Sequence, residues 1–226
     1  MNKRIAIIGA SQGIGAALVA QFAAISNVEV FAFSRNLDKM LMQFTQKNVH
    51  SFALDISSNV KNQIHSLGLK PSFDILINNA GLLINKPFEA LSQEDFQESY
   101  QVNVIGVMQT TQAFLPLLSS NAHIVNISSM GGFQGSLKFP GLAAYSTSKA
   151  ALCAFTELFA EEYKNTDLRM NCLCLGAVQT QMLSAAFPGF TAPTTAEHMA
   201  EFIADFSMHA GAFMNGKIIP VSTSNP

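Results

Sequence analysis

Short apolar runs alternate with longer helix-like segments along this whole chain, and this alternation constrains the fold most. It is typical of β-α-β units, in which helices cover both faces of a parallel sheet. Strands buried in this way read as continuous apolar runs, and 49% of the residues are hydrophobic while 12% are charged. We predict seven strands, at Ile5–Ile8, Val28–Phe33, His50–Leu54, Asp74–Ile77, Ala122–Ile127, Leu168–Leu173 and Lys217–Val221.

Two long helices are predicted between these strands. The first begins after the capping pattern Ser92-Gln-Glu-Asp95 and extends to about Leu118, although Pro116 is expected to kink or end it. The second covers Ala143 to Tyr163. Both carry apolar residues on more than one face, which favours a homodimer or homotetramer built by helix pairing.

Length and charge narrow the class of protein. With 226 residues and no linker, the chain is predicted to be one domain, residues 1–226. The net charge is −2 and no basic tract occurs, so we expect neither nucleic acid nor a membrane as a partner. The apolar run after Met1–Arg4 is interrupted too early for a signal peptide, and we predict a cytoplasmic protein.

The three cysteines are Cys153, Cys172 and Cys174. Their spacing is not Cys-x-x-Cys, and no clustered histidine accompanies them, so no metal site is predicted. We interpret them as buried, inert thiols of a reducing compartment, with a metal or redox role as the alternative.

A glycine-rich turn, Gly9-Ala-Ser-Gln-Gly13-Ile-Gly15, follows the first predicted strand and opens a helix. Glycines permit a tight turn and a close approach of the backbone to a pyrophosphate, and the helix N-terminus offers it free N–H groups. The turn therefore indicates a dinucleotide site. An ordinary strand-to-helix turn is the alternative.

Tyr145 and Lys149 lie four residues apart in the second long helix and so share one face. A free tyrosine has a pKa of about 10, and a fixed cation beside it favours the phenolate and lowers that pKa toward neutrality. The pair can thus serve acid-base catalysis. A chance pair on a solvated helix surface is the alternative.

The order of five motifs carries a family resemblance. Along the chain stand the glycine turn, Asn78-Asn79-Ala80-Gly81, Asn103, Ser129 and Tyr145-x-x-x-Lys149. In this order they resemble the short-chain dehydrogenase/reductase family, over the chain to about residue 183 and more loosely to Val221. The resemblance implies a Rossmann-like, doubly wound α/β fold with about seven parallel strands. It also implies an oxidoreductase that transfers hydride between a nicotinamide and a carbonyl or secondary alcohol.

The resemblance also implies roles for four residues. Tyr145 corresponds to the acid-base tyrosine, and Lys149 to the lysine that lowers the tyrosine pKa and holds the nicotinamide ribose. Ser129 corresponds to the serine that hydrogen-bonds the substrate oxygen, and Asn103 to the asparagine that anchors a water relay to the lysine. Plainer interpretations are a turn cap for Ser129 and a backbone hydrogen bond for Asn103.

Cofactor choice depends on the end of the second strand. An acidic residue there would bind an unmodified ribose, but Ser34-Arg35 occupies the position. A hydroxyl and a guanidinium suit a 2′-phosphate, so we predict NADP(H) in preference to NAD(H). A solvated surface arginine is the alternative. Asp55 resembles the residue that contacts the adenine, and a helix N-cap is its alternative.

The full set of cofactor-binding residues implied by the resemblance is Gly9, Ser11, Gln12, Gly13, Ile14, Gly15, Ser34, Arg35, Asp55, Ile56, Asn79, Ala80, Gly81, Tyr145, Lys149, Gly176, Val178 and Thr180.

Two loops that follow predicted strands, residues 130–142 and 176–194, are expected to form the substrate site. The predicted substrate-binding residues are Ser129, Met130, Gly131, Leu142, Tyr145, Leu183 and Phe187, with Leu175 and Phe190 at the boundary. Because most of these are apolar, we expect a hydrophobic or modest-sized carbonyl or alcohol substrate and disfavour an obligately anionic one.

The chain departs from the family pattern in three places. The interval from Ser129 to Tyr145 is longer than expected, which changes the substrate entrance. Leu175-Gly176 stands where Pro-Gly is usual, so the loop after it is less fixed. The C-terminal residues 220–226 lack the Asp-Gly-Gly ending of tetrameric members, which puts a tetramer in doubt.

Two other functions compete with catalysis of hydride transfer. One is a non-catalytic or weakly active NADP(H)-binding regulatory protein, which has no reason to keep the tyrosine, lysine, serine and asparagine together. The other is an epimerase or dehydratase acting on a nucleotide sugar, which we disfavour because few residues follow Lys149 to build a larger substrate region.

Overall fold

A seven-stranded, all-parallel sheet forms the centre of the computed structural model, which describes residues 2–70 and 72–223. The sheet strands are β1 (Lys3–Ile8), β2 (Val28–Ser34), β3 (Val49–Ala53), β4 (Phe73–Asn78), β5 (Leu118–Ser129), β6 (Arg169–Leu175) and β9 (Ile218–Val221). Their order in the sheet is β3-β2-β1-β4-β5-β6-β9. All seven predicted strands are confirmed; the largest difference is at β5, which begins at Leu118 rather than Ala122.

Helices cover both faces of the sheet, as predicted. They are α1 (Gly13–Ala23), α2 (Leu37–Gln43), α3 (Val60–Ser66), α4 (Gln93–Tyr100), α5 (Gly106–Phe114), α6 (Ala143–Glu162), α7 (Gln181–Ala186) and α8 (Ala196–His209). Alternate residues of β1 enter two different apolar cores: Ile5 and Ile7 pack with α1 and α8, whereas Ala6 and Ile8 pack with α3, α5 and α6.

The first long helix is interrupted, so the prediction of one continuous helix to Leu118 is wrong. Its start is as predicted, since the Ser92 side chain accepts from the Asp95 N–H at 3.2 Å and the Asp95 carboxylate accepts from the Ser92 N–H at 2.9 Å. A π-helical turn, Gln101–Ile105, then separates α4 from α5. Pro116 lies in a short 3₁₀ turn just after α5 and ends it.

Two irregular segments follow strands β5 and β6 at the carboxyl edge of the sheet. The first opens with a 3₁₀ turn, Met130–Gly132, and runs to α6. The second contains two short paired strands, β7 (Val178–Gln179) and β8 (Thr194–Thr195), with α7 between them. Strand order reverses between β1 and β4 at the same edge, which is where a ligand crevice forms in such sheets.

Two departures from the family pattern, at Leu175 and at the C-terminal residues 220–226, can be compared with the structure. Leu175 is the last residue of β6 and pairs with Ser129 and Val221, so the strand continues through the position where proline is usual. Of the unusual C-terminal sequence, Ser224, Asn225 and Pro226 lie outside the described residues. Within residues 2–70 and 72–223, no helix is both long and apolar enough to cross a membrane.

Candidate active site

A deep cleft of about 1090 Å³ opens at the carboxyl edge of the sheet. Every residue predicted to bind the cofactor lines this cleft except Gly15, and every predicted substrate residue lines it, as do Leu175 and Phe190. The fold therefore brings into one cavity residues that are as far apart in sequence as Gly9 and Phe190.

The glycine turn is locked to the end of β4. Gly9 has a φ of +85°, and a Cβ there would lie 2.6 Å from the Ala80 Cα, so only glycine fits. The Asn79 side chain donates to the Gly9 carbonyl at 2.9 Å. The segment Asn78–Gly81 thus holds the floor of the cleft in place.

Gly15 has a packing role, which explains why it does not line the cleft. A Cβ at this position would lie 2.0 Å from the Gly9 carbonyl oxygen, so its absence lets α1 approach β1 closely. The Gln12 side chain, at the N-cap of α1, makes no capping hydrogen bond. The first N–H groups of α1 are therefore available to an anion in the cleft.

The end of β2 places a hydroxyl and a cation beside this turn. Ser34 donates to Ser11 at 2.8 Å between their hydroxyl oxygens. Arg35 is exposed, and its guanidinium forms no hydrogen bond or salt bridge within the described part of the chain. It lies close enough to Asp55 to contribute to the lowered pKa of that carboxyl.

Asp55 holds the turn after β3 and does not cap a helix. Its Oδ1 accepts from the backbone N–H and the hydroxyl of Ser57, at 2.9 and 2.7 Å. Burial raises the pKa of Asp55, but these hydrogen bonds and the charge of Arg35 outweigh it and the pKa is lowered. The N-cap of α3 is Asn59, so the capping alternative for Asp55 is wrong.

Helix α6 carries Tyr145 and Lys149 into the cleft wall. Lys149 is only 3% exposed, and its ammonium donates to the Ile127 carbonyl at 2.8 Å. The same nitrogen lies 5.9 Å from the centre of the Tyr145 ring. Burial lowers the pKa of Lys149 to about 8, because a charged amine is poorly solvated there.

The pKa of Tyr145 is raised in this structure rather than lowered, and a role of Lys149 in lowering it stays a prediction. Burial raises the pKa of Tyr145, and a hydrogen bond with Ser129 offsets the increase only in part. Lys149 is directed at a backbone carbonyl and is itself easier to deprotonate than a free lysine. Tyr145 is therefore a neutral phenol at neutral pH, which is the form that donates a proton.

The two serines at the end of β5 serve different partners. Ser129 lines the cleft near Tyr145, whose pKa it lowers, and its hydroxyl accepts from the Gly131 N–H at 3.2 Å, so it caps the following turn as well. Ser128 is buried and donates to the Lys149 carbonyl at 2.9 Å, which fixes α6 against the strand.

Asn103 lies behind the cleft wall, in the π-helical turn, and is fully buried. Its side chain accepts from the Leu82 N–H and donates to the Leu82 carbonyl, both at 2.8 Å. It also donates to the Ser148 hydroxyl at 2.9 Å. A Cβ at Gly81 would lie 3.3 Å from both Asn103 Oδ1 and Lys149 Nζ. Asn103 is thus a neighbour of Lys149, and a water relay between them stays a prediction.

Several residues of the cleft were not predicted. From α8 come His198, Met199 and Phe202, and from the segment after β4 come Leu82 and Leu83, whereas Gln181 and Met182 lie within the predicted loop 176–194. Lys39 of α2 reaches the glycine turn, where its ammonium donates to Gln12 Oε1 at 3.2 Å. No motif marks the residues of α2 and α8: the packing of α8 brings its three residues to the cleft, and the packing of α2 brings Lys39 to the glycine turn.

The cleft has the features that a nicotinamide dinucleotide requires. Glycines keep side chains out of the path beside α1 and Lys149, the α1 N-terminus offers free N–H groups, and Arg35 offers an unpaired cation. Thr180, which caps α7, approaches the glycine turn: a Cβ at Gly13 would lie 3.2 Å from its Cγ2. The loop over residues 176–194 thus covers one side of the space.

Comparison with known proteins agrees with this geometry. Residues 3–189 match the family described as short chain dehydrogenase. The chain is 30% identical to Oxidoreductase BOA17 of Botryotinia fuckeliana over 208 residues, covering 87% of this chain and 72% of that protein. It is 30% identical to Carbonyl reductase family member 4 of Xenopus laevis over 190 residues, covering 81% of this chain and 79% of that protein.

Among solved structures, a short chain dehydrogenase from Salmonella enterica serovar Typhi superposes with a TM-score of 0.84. The two chains are 28% identical, and the superposition covers 97% of this chain and 96% of that chain.

Proposed function

The chain belongs to the short-chain dehydrogenase family and is an oxidoreductase of that class, and from this premise we propose that it is an NADP(H)-dependent carbonyl reductase. The observation that carries the proposal is that Ser129, Tyr145 and Lys149 line one large cleft, with Ser129 close enough to Tyr145 to lower its pKa and Lys149 one helical turn away. The printed name of the Xenopus laevis relative, a carbonyl reductase, supports the substrate class.

In the proposed reaction, the protein's own residues position the substrate and supply a proton. The nicotinamide supplies the hydride to the carbonyl carbon. Ser129 and Tyr145 hold hydroxyl groups where negative charge develops on the carbonyl oxygen. Because Tyr145 is a neutral phenol, it can release its proton to that oxygen, and the nearby ammonium of Lys149 stabilises the phenolate left behind.

The preference for NADP(H) over NAD(H) is supported by charge at the end of β2. Arg35 has no salt-bridge partner among the described residues, and no carboxylate replaces it at the strand end. Lys39 adds a second cation beside the glycine turn. Both positive charges would favour a bound 2′-phosphate.

The substrate is proposed to be an uncharged, mostly apolar carbonyl compound. Several apolar residues lie around Ser129 and Tyr145 in the cleft: Met130, Leu142, Leu175, Leu183, Phe187 and Phe190. Leu137 and Phe139, from the longer loop before α6, also line the cleft and are 65% and 56% exposed. We also propose self-association through the exposed side of α6, and a cytoplasmic location from the three free thiols.

The test is NADPH-dependent reduction of a panel of small ketones by wild type and Tyr145→Phe, with Tyr163→Phe as control. Tyr163 lies away from the cleft and stacks on Phe159, with the two ring centroids 4.3 Å apart. The control therefore removes a phenol hydroxyl outside the proposed site. We expect Tyr145→Phe to lower kcat by about 10²- to 10⁴-fold, with the Kd for NADPH unchanged. Full activity in Tyr145→Phe would contradict the assigned acid. NADPH binding by wild type without turnover of any ketone would favour the regulatory function.

A further inference from the structure

The three cysteines of the chain meet at one point between α6 and β6. Cys172 and Cys174 are two residues apart on β6 and therefore face the same side, toward Cys153 of α6. The Cys153 sulfur lies 3.5 Å from the Cys174 sulfur and 4.0 Å from the Cys172 sulfur, and all three lie within 4.8 Å of one another. The thiols are buried: Cys153 is 8% exposed and the other two 0%.

These distances match the size of a three-sulfur metal site. With metal–sulfur bonds of about 2.3 Å, three sulfurs around one ion lie about 4 Å apart. Two rigid elements supply the sulfurs, so little rearrangement is needed to close the triangle on an ion. Cys153 also donates to the Ser128 hydroxyl, at 3.6 Å, which ties the cluster to the end of β5.

The electrostatic surroundings also favour an anionic cluster. Burial lowers the pKa of Lys149, and the three sulfurs act against it, so an ammonium lies within electrostatic reach of them.

We propose that Cys153, Cys172 and Cys174 form a binding site for one thiophilic d¹⁰ ion of low coordination number, with Cu(I) as the expected occupant. Thiolate ligands select soft ions. No histidine, aspartate or glutamate of the described residues joins the cluster, whereas Zn²⁺ in a closed protein site takes four ligands. Binding exchanges thiol protons for the ion, and no electron is transferred.

The position of this site links it to the cleft. Cys153 follows Lys149 by one helical turn on the same face of α6, and Ser128, its hydrogen-bond partner, lines the cleft. The ion would therefore lie directly behind the wall that carries Tyr145 and Lys149. The inference does not rest on the proposed function, because its measurements do not use enzyme activity.

The experiment is an anaerobic titration of the fully reduced protein with Cu(I) against bicinchoninate, a chromophoric Cu(I) chelator. We expect the chain to retain one Cu(I), and X-ray absorption to report three sulfur ligands at about 2.3 Å. Single variants Cys153→Ala, Cys172→Ala and Cys174→Ala should each lose at least tenfold in affinity. Met40→Leu is the control: its thioether is buried in a different core, and its loss should leave the affinity unchanged.

Three results would overturn the proposal. They are failure of the wild-type protein to retain Cu(I), equal retention by the cysteine variants, and an ion bound by nitrogen or oxygen rather than sulfur. Tighter retention of Zn²⁺, with a fourth ligand, would contradict the low coordination number. Because the chain has three cysteines in all, the wild-type stoichiometry and sulfur count decide the question even where an alanine variant does not fold.

Discussion

The buried charge of Lys149 has a consequence for stability that can be separated from catalysis. Burial lowers its pKa to about 8 from an ordinary value of 10.5. Below pH 8 the amine is charged in both the folded and the unfolded chain, and the folded state bears the full cost of the buried charge. Between these two values the unfolded chain binds more protons, so this residue makes the free energy of unfolding rise with pH.

We therefore expect Lys149→Met to be stabilised relative to wild type most strongly below pH 8. The advantage should shrink by up to about 3 kcal/mol between pH 8 and 10.5, since one pKa unit corresponds to about 1.4 kcal/mol. Chemical denaturation of both proteins from pH 6 to 10.5 measures the difference. Lys47→Met, at an exposed lysine, is the control and should show no such trend. A constant difference between Lys149→Met and wild type across this range would contradict the lowered pKa.

Arg35 is expected to determine cofactor preference. Removing a cation that binds the 2′-phosphate costs about 1.5 to 3 kcal/mol, so Arg35→Ala should raise the Kd for NADPH roughly 10- to 100-fold. The Kd for NADH should change little. Fluorescence titration with both cofactors measures this, with Lys47→Ala as a control because Lys47 precedes β3 and so lies at the opposite edge of the sheet. An equal increase of the Kd for NADPH and for NADH would show that Arg35 does not bind the 2′-phosphate.

The sequence indicates the residues of the cleft better than it indicates their chemistry. Motifs placed Gly9, Ser129 and Tyr145 in one site because each follows or opens a predicted element. They did not reveal the direction of the Tyr145 pKa shift, which depends on how deeply the ring is buried. Nor did they reveal Lys39, whose contact with the glycine turn depends on the packing of α2.

At the scale of elements, the start of α4 is fixed by two reciprocal hydrogen bonds between Ser92 and Asp95. Ser92→Ala removes the acceptor for a free helical N–H and should lower the free energy of unfolding by about 1 kcal/mol. Ser58→Ala is the matched control, since Ser58 is exposed and its hydroxyl has no partner in the described part of the chain. Denaturant titration compares the three proteins. Equal stability of Ser92→Ala and wild type would mean that the cap contributes nothing.

In the helical segment after this cap, the local sequence predicts the two ends but not the interruption between them. The capping pattern predicted the start, and Pro116 predicted the end. The π-helical turn between them has no sequence signal of its own. It places Asn103 so that its side chain can bind the Leu82 backbone, and such turns often occur at functional sites. The π-helical turn thus occurs together with long-range hydrogen bonds that the local sequence does not indicate.

At the scale of the whole molecule, the number of strands follows from the apolar runs, but their order does not. The first three strands are added from β1 outward to β3 at one edge of the sheet. The chain then returns to the other side of β1, where β4 pairs with it and the later strands follow. Handedness rules limit the possible topologies without selecting one. This reversal creates the crevice in which the glycine turn faces Ser129 and Tyr145, so the cleft is a property of the whole sheet.

Helix α6 also presents an apolar face to the outside. Ala150, Ala154 and Leu158 are exposed and four residues apart, and Leu158 is 69% exposed. We expect two copies of the chain to pair along this face, since burying such a stripe removes apolar surface from water. Light scattering at micromolar concentration should give a dimer or tetramer for wild type.

Leu158→Glu should dissociate this assembly, because it would bury a carboxylate at the centre of the helix pair. Leu41→Glu is the matched control: Leu41 is 56% exposed on α2, so the same substitution there adds the same charge outside the proposed interface. If wild type is monomeric, or if both variants keep its mass, the face of α6 is not the interface. A lower mass for Leu158→Glu alone, with an unchanged circular dichroism spectrum, would assign the contact to α6 and would place it on the same helix as Tyr145 and Lys149.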